Sequence, residues 1–454
     1  MNLPVLKYKI IFLIIVLIGF QQFPVIRIGG SLKIYEILAI LLLFINILTF
    51  QYDKVHRNHR IDRKLLFVWI LFVLSPIISL LYNYCMLGYP KSFYIEYPNA
   101  SNSFKFNYWV FPWLQLLYVA FNFATFSTIY NSTLIYERLN LKRVIMVFVI
   151  IGTIIALYSL IALMTYDVIQ YLPSFIQNKT LYTTRSCGLS QEPSFYVLYQ
   201  GWVVLFTYYS KRFFRKPIWL FMIILNSISL LLTLSTTLLA LIIILFISIF
   251  VLKNKFKIRL LSVCVAFSIA LCGYFYLLKN NLFSLFESYF VVKVSNFFSG
   301  DITHTLDSGS FRNYTARIGL HMFYDYPITG VGVGNSIYYM HEYDAQMGVI
   351  SYGERLHSGS FPQNLFTCVL SEQGLIGGIS LIVILLILVR LVWKNRNRNT
   401  LCRIFFIGGL FNIAAMFSIA PIYSLFLWVF LSFILGYYKY IDKLKLRNEI
   451  TDIS

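Results

Sequence analysis

Apolar residues run along this chain in long, nearly unbroken blocks, with short polar segments between them. A block of roughly 17–25 apolar residues is what crosses a bilayer as a helix. The pattern predicts spans near 9–28, 32–50, 65–83, 109–130, 144–166, 191–209, 218–233, 235–252, 260–278, 363–389, 404–418 and 421–440. The division of Ile218–Leu252 needs an argument, because it is one continuous apolar run. As a single helix it would reach roughly 50 Å, against a hydrocarbon core about 30 Å thick. The polar knot Thr233–Thr237, "TLSTT", is the natural point of reversal. "KYKIIFLIIVLIGF" at the start lacks a small-residue cleavage pattern after it, so it reads as a first span.

The basic residues support twelve spans with both ends in the cytoplasm. That arrangement puts "YDKVHRNHRIDRK", "YERLNLKR", "KRFFRK", "KNKFKIR" and "YKYIDKLKLR" on one side. Short cytoplasmic loops attract such an excess. A single crossing by 218–252 would move "KNKFKIR" outside and weaken it. Composition agrees: 59% of residues are hydrophobic and 12% charged, far from the balance of a soluble domain. The net charge of +20 is therefore a topology signal. Its dispersal over many short loops argues against nucleic acid as a partner, and makes the lipid bilayer the expected surroundings.

The fold class expected is all-α: a polytopic membrane protein of about twelve transmembrane helices. Residues 1–278 hold spans one to nine, 279–362 form a large extracytoplasmic loop, and 363–454 carry the last three spans and a cytoplasmic tail. A structureless connection as long as 279–362 would be unusual, so short amphipathic helices are expected there. "FRNYTARIGLHMFYDYP" has apolar groups at helical spacing, but too few for an independent core. The aromatic loop Tyr84–Tyr108 suits the headgroup level. No cysteine framework or zinc-like spacing occurs; only Cys85 and Cys187 are placed where they can meet outside. No metal or cofactor is expected.

Charges beside a bilayer are costly, which draws attention to "RSCGLSQEPSF" at the mouth of the sixth span. The plain reading is that Glu192, before Pro193 in a first helical turn, complements the helix dipole, with Arg185 an interfacial anchor. The loop sequence "SGSFRNYTARIGLHMFYDYPITGVGVG" shifts the balance. Arg312 and Arg317 lie five apart there. A guanidinium offers paired, permanently charged donors that suit pyrophosphate. Gly330, Gly332 and Gly334 follow no convincing strand and read as a tight turn, not a phosphate cradle. Tyr338, with Tyr339 and Tyr343, is the group best placed to stack on a glycan. His321 falls in the apolar rhythm of its helix and reads as a packing residue.

Three segments carry a resemblance: "RSCGLSQEPSFYVLY", "FRNYTARIGLHMFYDYPITGVGVGNSIY" and "FPQNLFTCVLSEQGLIGGISLIVILL". Their order, and the large outer loop before the last three spans, resemble bacterial O-antigen polymerases and ligases. The resemblance implies a metal-independent glycosyltransferase of the cytoplasmic (inner) membrane, working on its periplasmic face. The implied substrate is an oligosaccharide linked to undecaprenyl diphosphate, with a flippase and a chain-length regulator as partners in the same pathway. Arg185 and Glu192 match the arginine and the Glu-Pro-Ser segment entering a central span, and Arg312 matches the loop arginine. In the ligases, His-Asn and nine further residues precede a GxxG turn. Here Gln363-Asn364 is followed by Leu365–Gln373, then Gly374 and Gly377, so Gln363 stands where the histidine would be. His357 lies close upstream.

The resulting site expectation assigns catalysis to Arg312, Glu192 and His357. Substrate binding falls to Arg185, Arg317, Gln363, Asn364 and Tyr338. The function expected is polymerisation of lipid-linked repeat units. The alternatives are a ligase that transfers polymer to a lipid core and, more distantly, a flippase. A flippase calls for more charges within the spans and for repeat-related halves. Here the conspicuous charges gather on one side.

Overall fold

A computed structural model describes residues 3–21, 24–27, 31–49, 63–86, 107–164, 185–190, 192–252, 295, 308–347, 361–417 and 425–446. The described chain is almost entirely helical. The helices are α1 (Leu3–Leu17), α2 (Ile34–Leu48), α3 (Arg63–Met86), α4 (Phe111–Asn131), α5 (Arg138–Met164), α6 (Pro193–Tyr209), α7 (Lys216–Leu231) and α8 (Thr236–Val251). They continue as α9 (Ser308–Asp325), α10 (Ser336–Met347), α11 (Leu365–Asn395), α12 (Thr400–Ala415) and α13 (Leu425–Leu446). A two-stranded antiparallel hairpin, β1 (Pro24–Arg27) with β2 (Ser31–Lys33), interrupts the all-α pattern. It also shortens the predicted first span, since α1 ends at Leu17 and Pro24–Arg27 is extended.

Each predicted span except the ninth has a helical counterpart among the described residues; 260–278 lies outside them. Among the described residues, Arg138–Leu163, Leu365–Asn395 and Leu425–Leu444 are long and apolar enough to cross a membrane, and Ile34–Leu48, Ile70–Met86, Lys216–Leu231, Thr237–Ser248 and Thr400–Ala415 are shorter apolar helical stretches. Described sections of the run Ile218–Leu252 form two helices. α7 ends at Leu231, and Ser235 caps α8 by accepting from the amide of Thr237 at 3.3 Å. Leu234 between them has φ 44°, the left-handed conformation that ends a helix abruptly.

Aromatic rings form much of the packing between helices. Trp202 of α6 is fully buried and stacks on Phe430 of α13 at 4.9 Å between centroids. Its indole N–H donates to Oδ1 of Asn412 in α12 at 3.2 Å. Polar pairs also join α5, α6 and α7: the Asn226 amide donates to Thr153 at 2.9 Å, and Gln200 donates to Asn226 Oδ1 at 2.9 Å. These bonds pair the amide N–H groups of both residues among apolar neighbours, where an unpaired donor would be costly.

A second, smaller apolar cluster holds the α9–α10 hairpin. It contains Tyr314, Ile318, Met322, Val331, Ile337, Tyr338, Tyr339, Met340 and Tyr343 together with Tyr108 from the segment before α4. The hairpin thus completes its core with a residue from another loop, as its few apolar positions require. Tyr314 of α9 donates to Asp344 of α10, and Tyr343 of α10 donates to Asp325 of α9 at 2.5 Å. These two reciprocal bonds tie the C-terminal part of α10 to α9 at two points.

Candidate functional site

The hairpin is seated on a break in α11. Gly374 has φ 58° and ψ −153°, so the helix is not continuous through it. As one rod, the helix Leu365–Asn395 would be roughly 46 Å long; Leu375–Asn395 alone is roughly 31 Å, close to the hydrocarbon thickness. A break frees backbone groups, which must find partners inside a membrane protein. The glycine turn supplies them. Val331 N–H donates to Ser371 O at 2.8 Å and Gly332 N–H to Glu372 O at 3.0 Å. In return, Leu375 N–H donates to Pro327 O at 2.8 Å. A β-carbon on Gly330 would sit 2.5 Å from the carbonyl carbon of Glu372, and one on Gly374 would sit 2.4 Å from that of Ile328. Two facing backbones therefore need glycine on both sides.

Helix α3 locks this seam. Ser79 Oγ lies 2.5 Å from both Thr329 O and Glu372 O, so its proton is shared between two carbonyls. The Asn83 amide donates to Val331 O, and its Oδ1 accepts from Tyr108 at 2.5 Å and from Asn335 at 2.9 Å. Ser75 donates to Oε1 of Gln373 at 2.9 Å. Glu372, 2% exposed, accepts from Ser336 Oγ at 2.7 Å. Sequence reasoning passed over Glu372, Ser79 and Asn83 because each looks like an ordinary polar residue inside an apolar helix.

The seating of α9 brings Arg312 to the start of α6. Its Nη2 lies 3.3 Å from Glu192 Oε2 and donates to Ser194 Oγ at 3.1 Å. Ser194 in turn donates to the same Glu192 oxygen at 3.1 Å. Glu192 is the N-cap residue of α6, yet its side chain makes no cap hydrogen bond. The two side chains differ in access: 8% of Arg312 is exposed, against 43% of Glu192. The cation is shut in, and the carboxylate faces outward.

Arg185 has a different setting. Its Nε donates to Thr233 O at 3.0 Å and its Nη2 to Leu234 O at 3.2 Å, at the reversal between α7 and α8. The neighbouring Ser186 N–H donates to Leu232 O at 2.8 Å. The arginine thus satisfies carbonyls of the reversal that follows α7, which no helix pairs. Arg317 is exposed and projects about 140° around α9 from Arg312, at 3.6 residues per turn. Asn364 caps α11, accepting from Phe366 N–H at 2.9 Å and donating to Phe417 O at 2.9 Å. Gln363 is half-buried, and its N–H meets Thr315 Oγ1 at 3.4 Å.

Other expected residues are placed differently. Tyr338, Tyr339 and Tyr343 are buried, and the Tyr338 ring stands edge-on to Tyr108 at 5.4 Å. They form the hairpin core, so none offers an open ring face here. Burial, and then the neighbouring Tyr84, raises the Tyr338 phenol above its ordinary range; burial and Asp325 raise that of Tyr343. Both stay protonated donors, not bases. His321 is exposed, its ring 6.2 Å from Tyr324, which corrects the expectation that it packs. His357 lies outside the described residues. Cys85 is exposed and Cys187 is buried, and no disulfide joins the two. Among the described residues, no group of three or more His, Cys, Asp or Glu is gathered to hold a metal ion.

Residues 220–382 match the family model described as O-antigen ligase. The matched segment runs from within α7 into α11 and includes Arg312, the glycine turn and the broken helix. It supports the O-antigen ligase and polymerase superfamily, without separating the two activities. Arg185 and Glu192 precede it, and the fold brings Glu192 to Arg312 inside it. No curated protein matches the chain.

Proposed function

We propose that this protein is a polysaccharide polymerase that joins oligosaccharide repeat units carried on undecaprenyl diphosphate, at the periplasmic face of the cytoplasmic membrane. The observation that carries the reading is the Arg312–Glu192–Ser194 cluster, which couples a shielded cation to an accessible carboxylate. In the reaction, a hydroxyl oxygen of the acceptor unit attacks the anomeric carbon of the donor glycan. The bond from that carbon to the phosphate oxygen breaks, and its electron pair leaves with undecaprenyl diphosphate. The hydroxyl proton passes to a base, for which Glu192 is the accessible group. Arg312 stabilises the charge that grows on the diphosphate, with Arg317 and Arg185 adding positive potential around it. A fixed donor aimed at developing charge is worth about 10²–10³ in rate in other enzymes.

Gln363, Asn364 and His357 contribute to the acceptor side, and Tyr338 acts by supporting the hairpin. The pathway's flippase and chain-length regulator are the expected protein partners. The direct test gives purified protein synthetic lipid-linked repeat units in vesicles. A ladder of products of increasing length supports polymerisation, and its absence with functional substrate rejects it.

The second reading is a ligase. The family match is to O-antigen ligase, and Asn364 with Gly374 and Gly377 keeps the ligase spacing. Adding a lipid-core acceptor to the same assay separates the two. Transfer only to that core favours the ligase.

A further inference from the structure

We infer that Glu372 is a positioning residue that fixes the α9–α10 hairpin over the broken helix and so holds Arg312 against Glu192. The activity arm of this inference rests on the glycosyl-transfer reading; its structural arm does not. A carboxylate buried within an apolar helical bundle is costly unless partnered, so its partners point to its role. Glu372 is 2% exposed, and its Oε1 accepts from Ser336 Oγ at 2.7 Å. Ser336 is the first residue of α10, where the helix dipole presents its positive end. The carboxylate therefore anchors that end by both charge and hydrogen bonding.

The main chain of the same residue makes two further connections. Glu372 O accepts from Gly332 N–H of the turn at 3.0 Å and lies 2.5 Å from Ser79 Oγ of α3. One residue thus joins α10, the turn and α3 immediately before the break at Gly374. From α10 the connection reaches α9 through Tyr343–Asp325 and Tyr314–Asp344, and Tyr314 lies two residues beyond Arg312. Arg312 in turn meets Glu192 and Ser194 at the start of α6. Displacing α10 therefore misaims Arg312 without removing a group from the reaction.

The test uses the full chain in lipid nanodiscs with Glu372→Gln, Glu372→Ala and Ser336→Ala. A displacement near 1 Å can cost about a hundredfold in rate, so Glu372→Ala is expected to lower kcat by about that factor while KM for lipid-linked repeat units stays within about twofold. Glu372→Gln keeps an oxygen that accepts from Ser336 and is expected to restore most of kcat. Ser336→Ala is expected to lower kcat less than Glu372→Ala, again with little change in KM. Without substrate, hydrogen exchange at the Val331 and Gly332 amides should quicken in Glu372→Ala and return towards normal in Glu372→Gln. Equal exchange in wild type and Glu372→Ala would overturn the inference even if the wild-type protein proved inactive towards these substrates. So would Glu372→Gln as inactive as Glu372→Ala at normal exchange, because the carboxylate would then act chemically. Should Glu372→Ala fail to accumulate, unchanged kcat and exchange in Ser336→Ala would reject the anchoring bond.

Discussion

Arg312 Nη2 lies 3.3 Å from Glu192 Oε2, joining residues 120 apart in the chain. The contact unites the loop arginine with the Glu-Pro-Ser segment, two features that the sequence presents separately. It also orders the roles of the two groups. The guanidinium is enclosed and already oriented, so in the proposed reaction little reorganisation is needed when negative charge develops beside it.

Arg312→Ala is accordingly expected to lower polymer formation by at least about a hundredfold with normal protein in the membrane. Arg312→Lys should recover only part, because an ammonium keeps the charge and loses the planar pair of donors. Polymer length and amount on gels, set against membrane protein level, decide the matter. Full polymer from the alanine variant would reject the diphosphate role. Glu192→Gln retains size and an accepting oxygen while removing the charge. Unchanged turnover there would remove Glu192 from proton transfer.

Arg185→Ala has two expected effects because the side chain bonds Thr233 O and Leu234 O. Losing hydrogen bonds from a charged donor costs about 1.5–3 kcal/mol each in typical cases, with less expected here because Arg185 is only half-buried. Thermal unfolding in detergent should shift downward along with the loss of polymer. Arg185→Lys should recover activity only in part. A variant with normal melting and no polymer would instead point to direct substrate contact alone.

Gly374→Ala and Gly330→Ala test the seam between the turn and α11. Each glycine has positive φ, and each added β-carbon would approach opposing backbone to 2.4–2.5 Å. Strained backbone positions of this kind cost on the order of 1–3 kcal/mol before any steric clash is counted. Both variants should melt earlier and show faster amide exchange at Val331 and Gly332. Wild-type melting would mean that the seam gives way easily, and its tie to Arg312 would be loose.

The helical blocks, the reversal after α7 and the glycine turn were legible because each follows from local chemistry: apolar length, a polar knot, positive φ. The β1–β2 hairpin was not, since Pro24–Arg27 continues an apolar run and its pairing depends on a partner segment. Arg312 and Glu192 were legible as residue types, but their contact comes from the seating of α9. Tyr338 misled for a related reason. An aromatic cluster after a turn looks equally suited to a sugar or to a core, and only packing against Tyr108 distinguishes them. Glu372 escaped notice because nothing near it in sequence shows that Ser336 will meet it.

Topology offers an independent check on which end of the bundle faces outward. Single cysteines at Gly309 and Tyr182 should react with an impermeant thiol reagent added outside, whereas one at Asn254 should remain unlabelled until the membrane is opened. Labelling at position 254 in intact cells would reverse the placement of the Arg312–Glu192 cluster and remove periplasmic substrates from it.

The last prediction separates polymerase from ligase. Gln363 stands where the ligases carry histidine, and its main-chain N–H meets Thr315 Oγ1 of α9 while Asn364 caps α11. The position is thus held at the edge of the hairpin without an imidazole to take a proton. If both donor and acceptor are lipid-linked repeat units, deletion of the protein should leave surface lipid capped by a single repeat. Transfer to that lipid would still proceed through a separate ligase. Loss of a ligase has the opposite signature: a bare lipid core with polymer accumulating on its carrier. Gel separation of the surface lipid and mass analysis of carrier-linked glycans distinguish the two. Gln363→His is expected to produce no transfer to the lipid core, because acceptor choice depends on the shape of the cavity around the hairpin as well as on one base. Core transfer in that variant would make position 363 the determinant of acceptor class and move the wild-type protein much closer to the ligases.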